Sequence, residues 1–211
     1  MNFGEVTTQF LNLMNRTDLR GNSTLTNTFL QLGIQRISRE LRVPAMEKTL
    51  VATIGATYNG LIIPGDMLEL IDLEYTVTNS GVIILRRTNL TRAKTLAQTI
   101  GVPLEFARQG KKWWLGPSPA SGTQVRIDYY ADFSALVLTT DSNMMTTAFP
   151  DALIYSALEY ACDYYNDDRA KQFGSRYSQI TQSLQGMADG DELTADAVVA
   201  PALIYPSEEN W

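Results

Sequence analysis

Asp163, Asp167 and Asp168, clustered around Tyr164 and Tyr165, are the carboxylates with the clearest potential for chemistry in this 211-residue chain. Hard divalent cations favour clustered carboxylates. The stretch lacks the alternating oxygen donors and central glycine of a calcium loop, so it reads instead as an acidic corner between helices. Asp167 or Asp168 would cap the following helix and complement its dipole. A second cluster, Trp113 and Trp114 beside Lys111 and Lys112, mixes cations with aromatic faces on which bases could stack. Side chains alternate direction along a strand, so the favoured reading is one core tryptophan and one interface tryptophan. The run GLIIPG at 60–65 lacks the spacing of a phosphate loop and the Lys-Ser/Thr that follows one. Histidine is absent, which removes the commonest general base and the favoured imidazole ligand and weighs against ordinary hydrolases. The one cysteine, Cys162, lies within a helical pattern and reads as a buried, inert thiol. It allows neither an intrachain disulfide nor a cysteine-rich zinc site. No catalytic, cofactor or metal site is expected.

The elements that carry these residues fall into three parts. Residues 2–43 are helical in pattern: Phe3, Val6, Phe10 and Leu13 form one apolar stripe, and Leu30, Ile34, Ile37 and Leu41 form another after a turn at 18–21. Ser23 or Thr24 would cap the second helix, and Pro44 would end it. From Glu47 to about Phe133 the signal changes to β-branched and aromatic runs at 49–54, 61–64, 68–76, 82–86, 104–109, 112–115 and 124–130, separated by turns rich in glycine, with a short helix at 90–100. Residues 149–187 return to a helical pair, with Phe149-Pro150 at its start. Ala170, Phe173, Tyr177, Ile180, Leu184 and Met187 alternate steps of three and four along one face.

The expected fold class is α+β. Helix pairs at 1–46 and 141–188 would join in one bundle, a β-rich insert with a short helix would occupy 47–140, and 189–211 would form an extended C-terminal arm. The helix is expected to stop just after Met187. Beyond it the chain keeps Leu203, Ile204, Tyr205 and Trp211, an apolar content that a free tail would normally lack. The arm therefore reads as a segment that binds a neighbour, by strand addition or by seating side chains in grooves. No run of about twenty apolar residues occurs, and the N-terminus has no signal-peptide pattern, so a soluble, unexported protein without membrane contact is expected.

The net charge of −6 is unevenly spread. Arg86, Arg87, Arg92, Lys94, Arg108, Lys111 and Lys112 make the middle basic, opposed locally only by Glu105. Beyond Gly186 the chain carries Asp189, Asp191, Glu192, Asp196, Glu208 and Glu209 with no Lys or Arg. Such asymmetry suits electrostatic docking between subunits or onto a partner.

The organisation resembles that of the head-to-tail adaptor or connector proteins of tailed bacteriophages, especially the short-tailed ones. The resemblance is carried by Pro150, Asp151, Ala152, Leu153, Ile154, Tyr155, Ala157, Leu158 and Ala161, then by Asp167, Asp168, Ala170, Phe173 and Tyr177. It also includes the run from Lys112, Trp113, Trp114 and Leu115 through Gly116 and Pro117 to a returning strand ending in YYA, read as a strand pair. The resemblance implies a virion protein at the head-to-tail interface: a subunit of a dodecameric ring beneath the portal protein, with the helical part against the portal and neighbouring copies and the β insert toward a tail nozzle or tube protein. Exiting DNA would touch the ring channel in passing. Segregated charge supplies the unlike faces that a ring contact requires. Interface candidates are Arg86, Arg87, Arg92, Lys94, Lys111, Lys112, Trp113, Trp114, Leu203, Ile204, Tyr205 and Trp211. The alternative function is a nucleic-acid-binding module that uses the basic, tryptophan-containing middle.

Overall fold

The computed structural model describes residues 1–55, 60–77, 81–133 and 135–196. The chain opens with α1 (Phe3–Met14), the single turn α2 (Thr17–Arg20) and α3 (Ser23–Glu40), followed by a 3-10 turn at Pro44–Met46. Strands β1 (Glu47–Thr53), β2 (Leu61–Ile62), β3 (Met67–Val77), β4 (Gly81–Ile84) and β5 (Arg86–Arg87) precede α4 (Leu90–Leu96). Then come β6 (Glu105–Gln109), β7 (Lys112–Gly116) and β8 (Gln124–Ala131), and finally α5 (Met144–Ala148), α6 (Pro150–Tyr164) and α7 (Ala170–Asp196). The molecule is of the mixed α+β class.

Asparagines set the helix starts. Asn2, Asn22, Asn89 and Asn143 each accept a backbone N–H from the first turn of α1, α3, α4 and α5, which satisfies a donor that the helix itself leaves unpaired. The expected caps Ser23 and Thr24 lie instead inside α3, because Asn22 Oδ1 takes the Leu25 N–H at 3.0 Å. The expected turn at 18–21 is largely the helical turn α2, anchored by buried Leu19. At the other end, α3 stops at Glu40, ahead of Pro44.

Helix α6 packs against α1, α3 and α7. Their shared core contains Phe3, Val6, Phe10, Met14, Leu30, Ile37, Leu153, Ala157, Leu158, Phe173 and Tyr177. Two apolar stripes differ from expectation at their ends: Leu13 and Met187 are exposed, and their neighbours Met14 and Ala188 are buried. Steps averaging 3.5 residues slip relative to a 3.6-residue helix by about 20° per heptad, so the buried face moves to the next residue. Helix α7 also runs past Met187 through ADGDEL to Asp196. This corrects the expected arm, since residues 189–196 continue the helix. Residues 197–211, including Leu203, Ile204, Tyr205 and Trp211, lie outside the described residues.

The strands form two four-stranded sheets, ordered β1-β8-β3-β4 and β2-β7-β6-β5. The run expected as one strand at 82–86 divides between them: Leu85 N–H still bonds Leu73 O at 2.8 Å, and Arg86 N–H turns to Leu104 O at 2.9 Å. The expected pairing of the Trp113-Trp114 strand with the returning YYA strand is likewise corrected. Strand β7 pairs with β2 and β6, and β8 pairs with β1 and β3. The expected helix at 90–100 ends at Leu96. Strand β8 couples the two halves of the molecule. Val125, Ile127 and Tyr129 enter the β core, and Tyr130 packs on the helical core, as a period of two requires.

Candidate interaction site

Strand β5, helix α4 and the β6-β7 hairpin bring the basic middle of the chain together. Arg92 and Glu105 face each other with Nε–Oε2 at 2.6 Å and Nη2–Oε1 at 2.7 Å. This bidentate geometry favours the charged forms, so the Glu105 carboxyl sits below its usual range, chiefly through the hydrogen bond from Arg92. Lys94 Nζ lies 5.6 Å from the Trp114 ring centre, within cation-π range, and Trp114 Nε1 donates to Gln109 Oε1 at 2.8 Å. Trp113 points the other way. It is 2 % exposed and meets Phe106 edge-on at 6.5 Å. Lys111 and Lys112 flank the turn closed by Gly110, which has φ of 59°. Of the sequence candidates, Arg86, Arg87, Arg92, Lys94, Lys111, Lys112 and Trp114 thus share one half of the molecule, and Trp113 belongs to its core.

A groove of about 410 Å³ runs beside this cluster, between the two sheets. One wall is made by every residue from Met67 to Leu73; the other holds Leu85 and Arg87, Phe106 and Arg108, and Trp113. Arg87 and Arg108 form no ion pair among the described residues, and Arg108 Nε donates to Gly110 O at 3.1 Å. Across the groove Glu69 is held by Arg42 at 3.0 Å. Sequence reasoning passed over Ile71, Phe106 and Arg108 as a site. The alternation of Phe106 with Arg108 was the available signal, because it places both on one face of β6.

Edge strands supply further exposed apolar surface. Leu50 and Val51 on β1 and Val82 and Ile84 on β4 are exposed, on strands at opposite edges of the first sheet. Unpaired edges bearing apolar side chains are templates for association.

The acidic corner is structural. Asp167 Oδ1 accepts the Arg169 N–H at 3.0 Å, and Oδ2 takes Arg169 Nη2 at 2.7 Å. Arg169 Nη2 also donates to Met14 O at 3.1 Å, tying the corner to α1. The Arg169 side chain, then its backbone N–H, hold the Asp167 carboxyl down at about 2. Cys162 is buried, and desolvation pushes its thiol up to about 11. Among the described residues no group of three or more Cys, Asp or Glu side chains could hold a metal ion, and no helix is long and apolar enough to cross a membrane.

A family model described as SU10 adaptor protein matches residues 1–201. No curated protein matches the chain.

Proposed function

The chain belongs to the SU10 adaptor protein family, and from that membership we propose that it forms a homo-oligomeric ring joining the portal to the tail of a bacteriophage virion, around a channel through which the genome leaves. The observation that carries this reading is the match across residues 1–201, which takes in the helical part, both sheets and α7. An adaptor acts through surfaces, and the exposed edges of β1 and β4 and the groove between the sheets are surfaces of the required kind. Leu203, Ile204, Tyr205 and Trp211 are proposed to contribute contacts to a neighbour, alongside Trp114 and the cations around it. The nucleic-acid-binding alternative draws less support, because Arg92 is engaged by Glu105 and Trp113 is core.

The test is mass determination of the purified protein alone and with its portal, by native mass spectrometry, followed by low-resolution imaging of the product. A closed ring, formed alone or only on the portal, is the expected result. A salt-sensitive DNA complex without portal affinity would overturn the reading in favour of the alternative.

A further inference from the structure

The groove between the sheets is bounded by a strand edge. A cavity lined by every residue from Met67 to Leu73 runs along β3, where the pairing with β8 shifts register between Met67 and Glu69 and again between Leu70 and Asp72. Strand β8 covers the opposite margin, and β4 pairs with β3 only from Glu74 onward. Met67 N–H turns to Pro64 O. Along 68–72, no strand among the described residues covers the margin facing the groove.

We propose that this margin receives residues 197–211 of a neighbouring copy as an added strand, with the acidic end of the segment meeting Arg87 and Arg108. Three observations select that occupant. Pro201 and Pro206 bracket Ala202, Leu203, Ile204 and Tyr205, a strand-forming run whose length suits the open stretch 68–72, and prolines belong outside a pairing ladder. The segment carries Glu208 and Glu209 and no Lys or Arg, whereas Arg87 and Arg108 form no ion pair among the described residues and Glu69 is already engaged by Arg42. Asp72 is the remaining acidic residue of the walls, so the groove keeps an excess of positive charge.

On its own copy the segment follows a helix that touches the groove wall through Arg42. Arg42 N–H donates to Gln185 Oε1 of α7 at 3.2 Å, and its guanidinium reaches Glu69. From Gln185 the helix continues to Asp196, which carries the start of the segment about 16 Å along the helix axis at 1.5 Å per residue. A segment of one copy seated in the groove of the next is a heterologous contact, the kind that closes a ring. The inference rests on the ring reading above, and it assigns that ring a strand exchange between neighbours.

The test uses two full-length variants, Ile71→Cys in the groove wall and Leu203→Cys in the segment, mixed under mild oxidation. Buried Cys162 stays out of the exchange. A disulfide-linked pair should form in the mixture at least ten-fold above either variant alone. Adding Arg87→Glu and Arg108→Glu to the groove variant should cut the yield about ten-fold, and Glu208→Lys with Glu209→Lys on the segment variant should restore much of it. A closed ring without the cross-link overturns the inference and leaves the ring reading standing. A double variant, Ile71→Cys with Leu203→Cys, that bridges only within its own chain while the mixture gives no linked pair also overturns it, since the segment would then occupy its own groove. A cross-linked pair whose products never close into a ring upholds the groove contact and sinks the ring reading alone.

Discussion

Arg36 Nη1 on α3 lies 2.6 Å from Glu159 Oε2 on α6. The same guanidinium reaches Glu40 at 3.1 Å and sits 4.2 Å over the Tyr177 ring of α7. The Tyr177 hydroxyl in turn donates to Glu40 at 2.7 Å. One cation thus joins three helices whose remaining contacts are mostly apolar. Burial, and then the bond to Glu40, raise the Tyr177 phenol well above its usual range, so it stays a donor at every working pH.

Replacing Arg36 by Met should therefore lower stability by about 2 kcal/mol, because charge-assisted hydrogen bonds and a cation-π contact are lost while the aliphatic packing is kept. Urea unfolding at pH 7 measures this. Arg36→Lys should recover only part of the loss, since an ammonium lacks the planar fork that serves Glu159, Glu40 and the ring together. Equal stability of all three proteins would show that the network is incidental.

The acid limb of stability should depend on Asp167. Its carboxyl titrates at about 2 in the folded protein, whereas an unfolded aspartate titrates near about 3.9. The folded value is the lower one, so the stabilisation is complete above about pH 4 and disappears as the pH falls toward 2. Asp167→Asn should lower the urea midpoint at pH 7 and shrink the gap between midpoints measured at pH 7 and pH 3. An unchanged gap would mean that other carboxylates set the acid limb.

The adjacent tryptophans should respond in opposite ways. Trp113 fills the β core against Phe106, so Trp113→Ala should cost about 3 to 5 kcal/mol. Trp114 stands on the other face with Lys94 and Gln109, and Trp114→Ala should cost about 1 kcal/mol. If that face contacts a partner, the second variant should fold normally and still assemble poorly. Thermal melts paired with native mass spectrometry separate the two effects.

These contrasts mark what sequence could disclose. Strand alternation was local, so the opposite fates of Trp113 and Trp114 were readable, and so were the helical stripes up to their last turn. The shift from Leu13 to Met14 and from Met187 to Ala188 was not, because a seam counted in threes and fours conceals the slow rotation of a real helix. The end of α7 was misplaced for a different reason: Gly190 and the acidic residues around it looked like a stop, yet the helix continues to Asp196. The groove was invisible because it requires β3 of one sheet to face β5 and β6 of the other. That juxtaposition depends on the chain crossing between sheets at Leu85, which no periodicity records.

Gly116 tests the packing of that second sheet. It ends β7 where α4 crosses, and a Cβ built there would sit 2.7 Å from the Leu96 Cβ and 3.1 Å from the Ala93 carbonyl oxygen. Neither atom is the free end of a flexible side chain, so the helix must move off the strand to admit even a methyl group. Gly116→Ala should cost about 1 to 3 kcal/mol, the usual penalty for overpacking a filled site, and Gly116→Val should cost more. Gly122 offers the control: a Cβ there meets open space, but its φ of 83° opposes any side chain, so Gly122→Ala should cost about 1 kcal/mol through backbone strain alone. Leu96→Gly should leave the Gly122 penalty unchanged, and in combination with Gly116→Ala it should show coupling, because it removes the Cβ that the new methyl group would meet. Additive losses for the Gly116 and Leu96 pair, measured by urea unfolding, would show that α4 and β7 are not held in this close register.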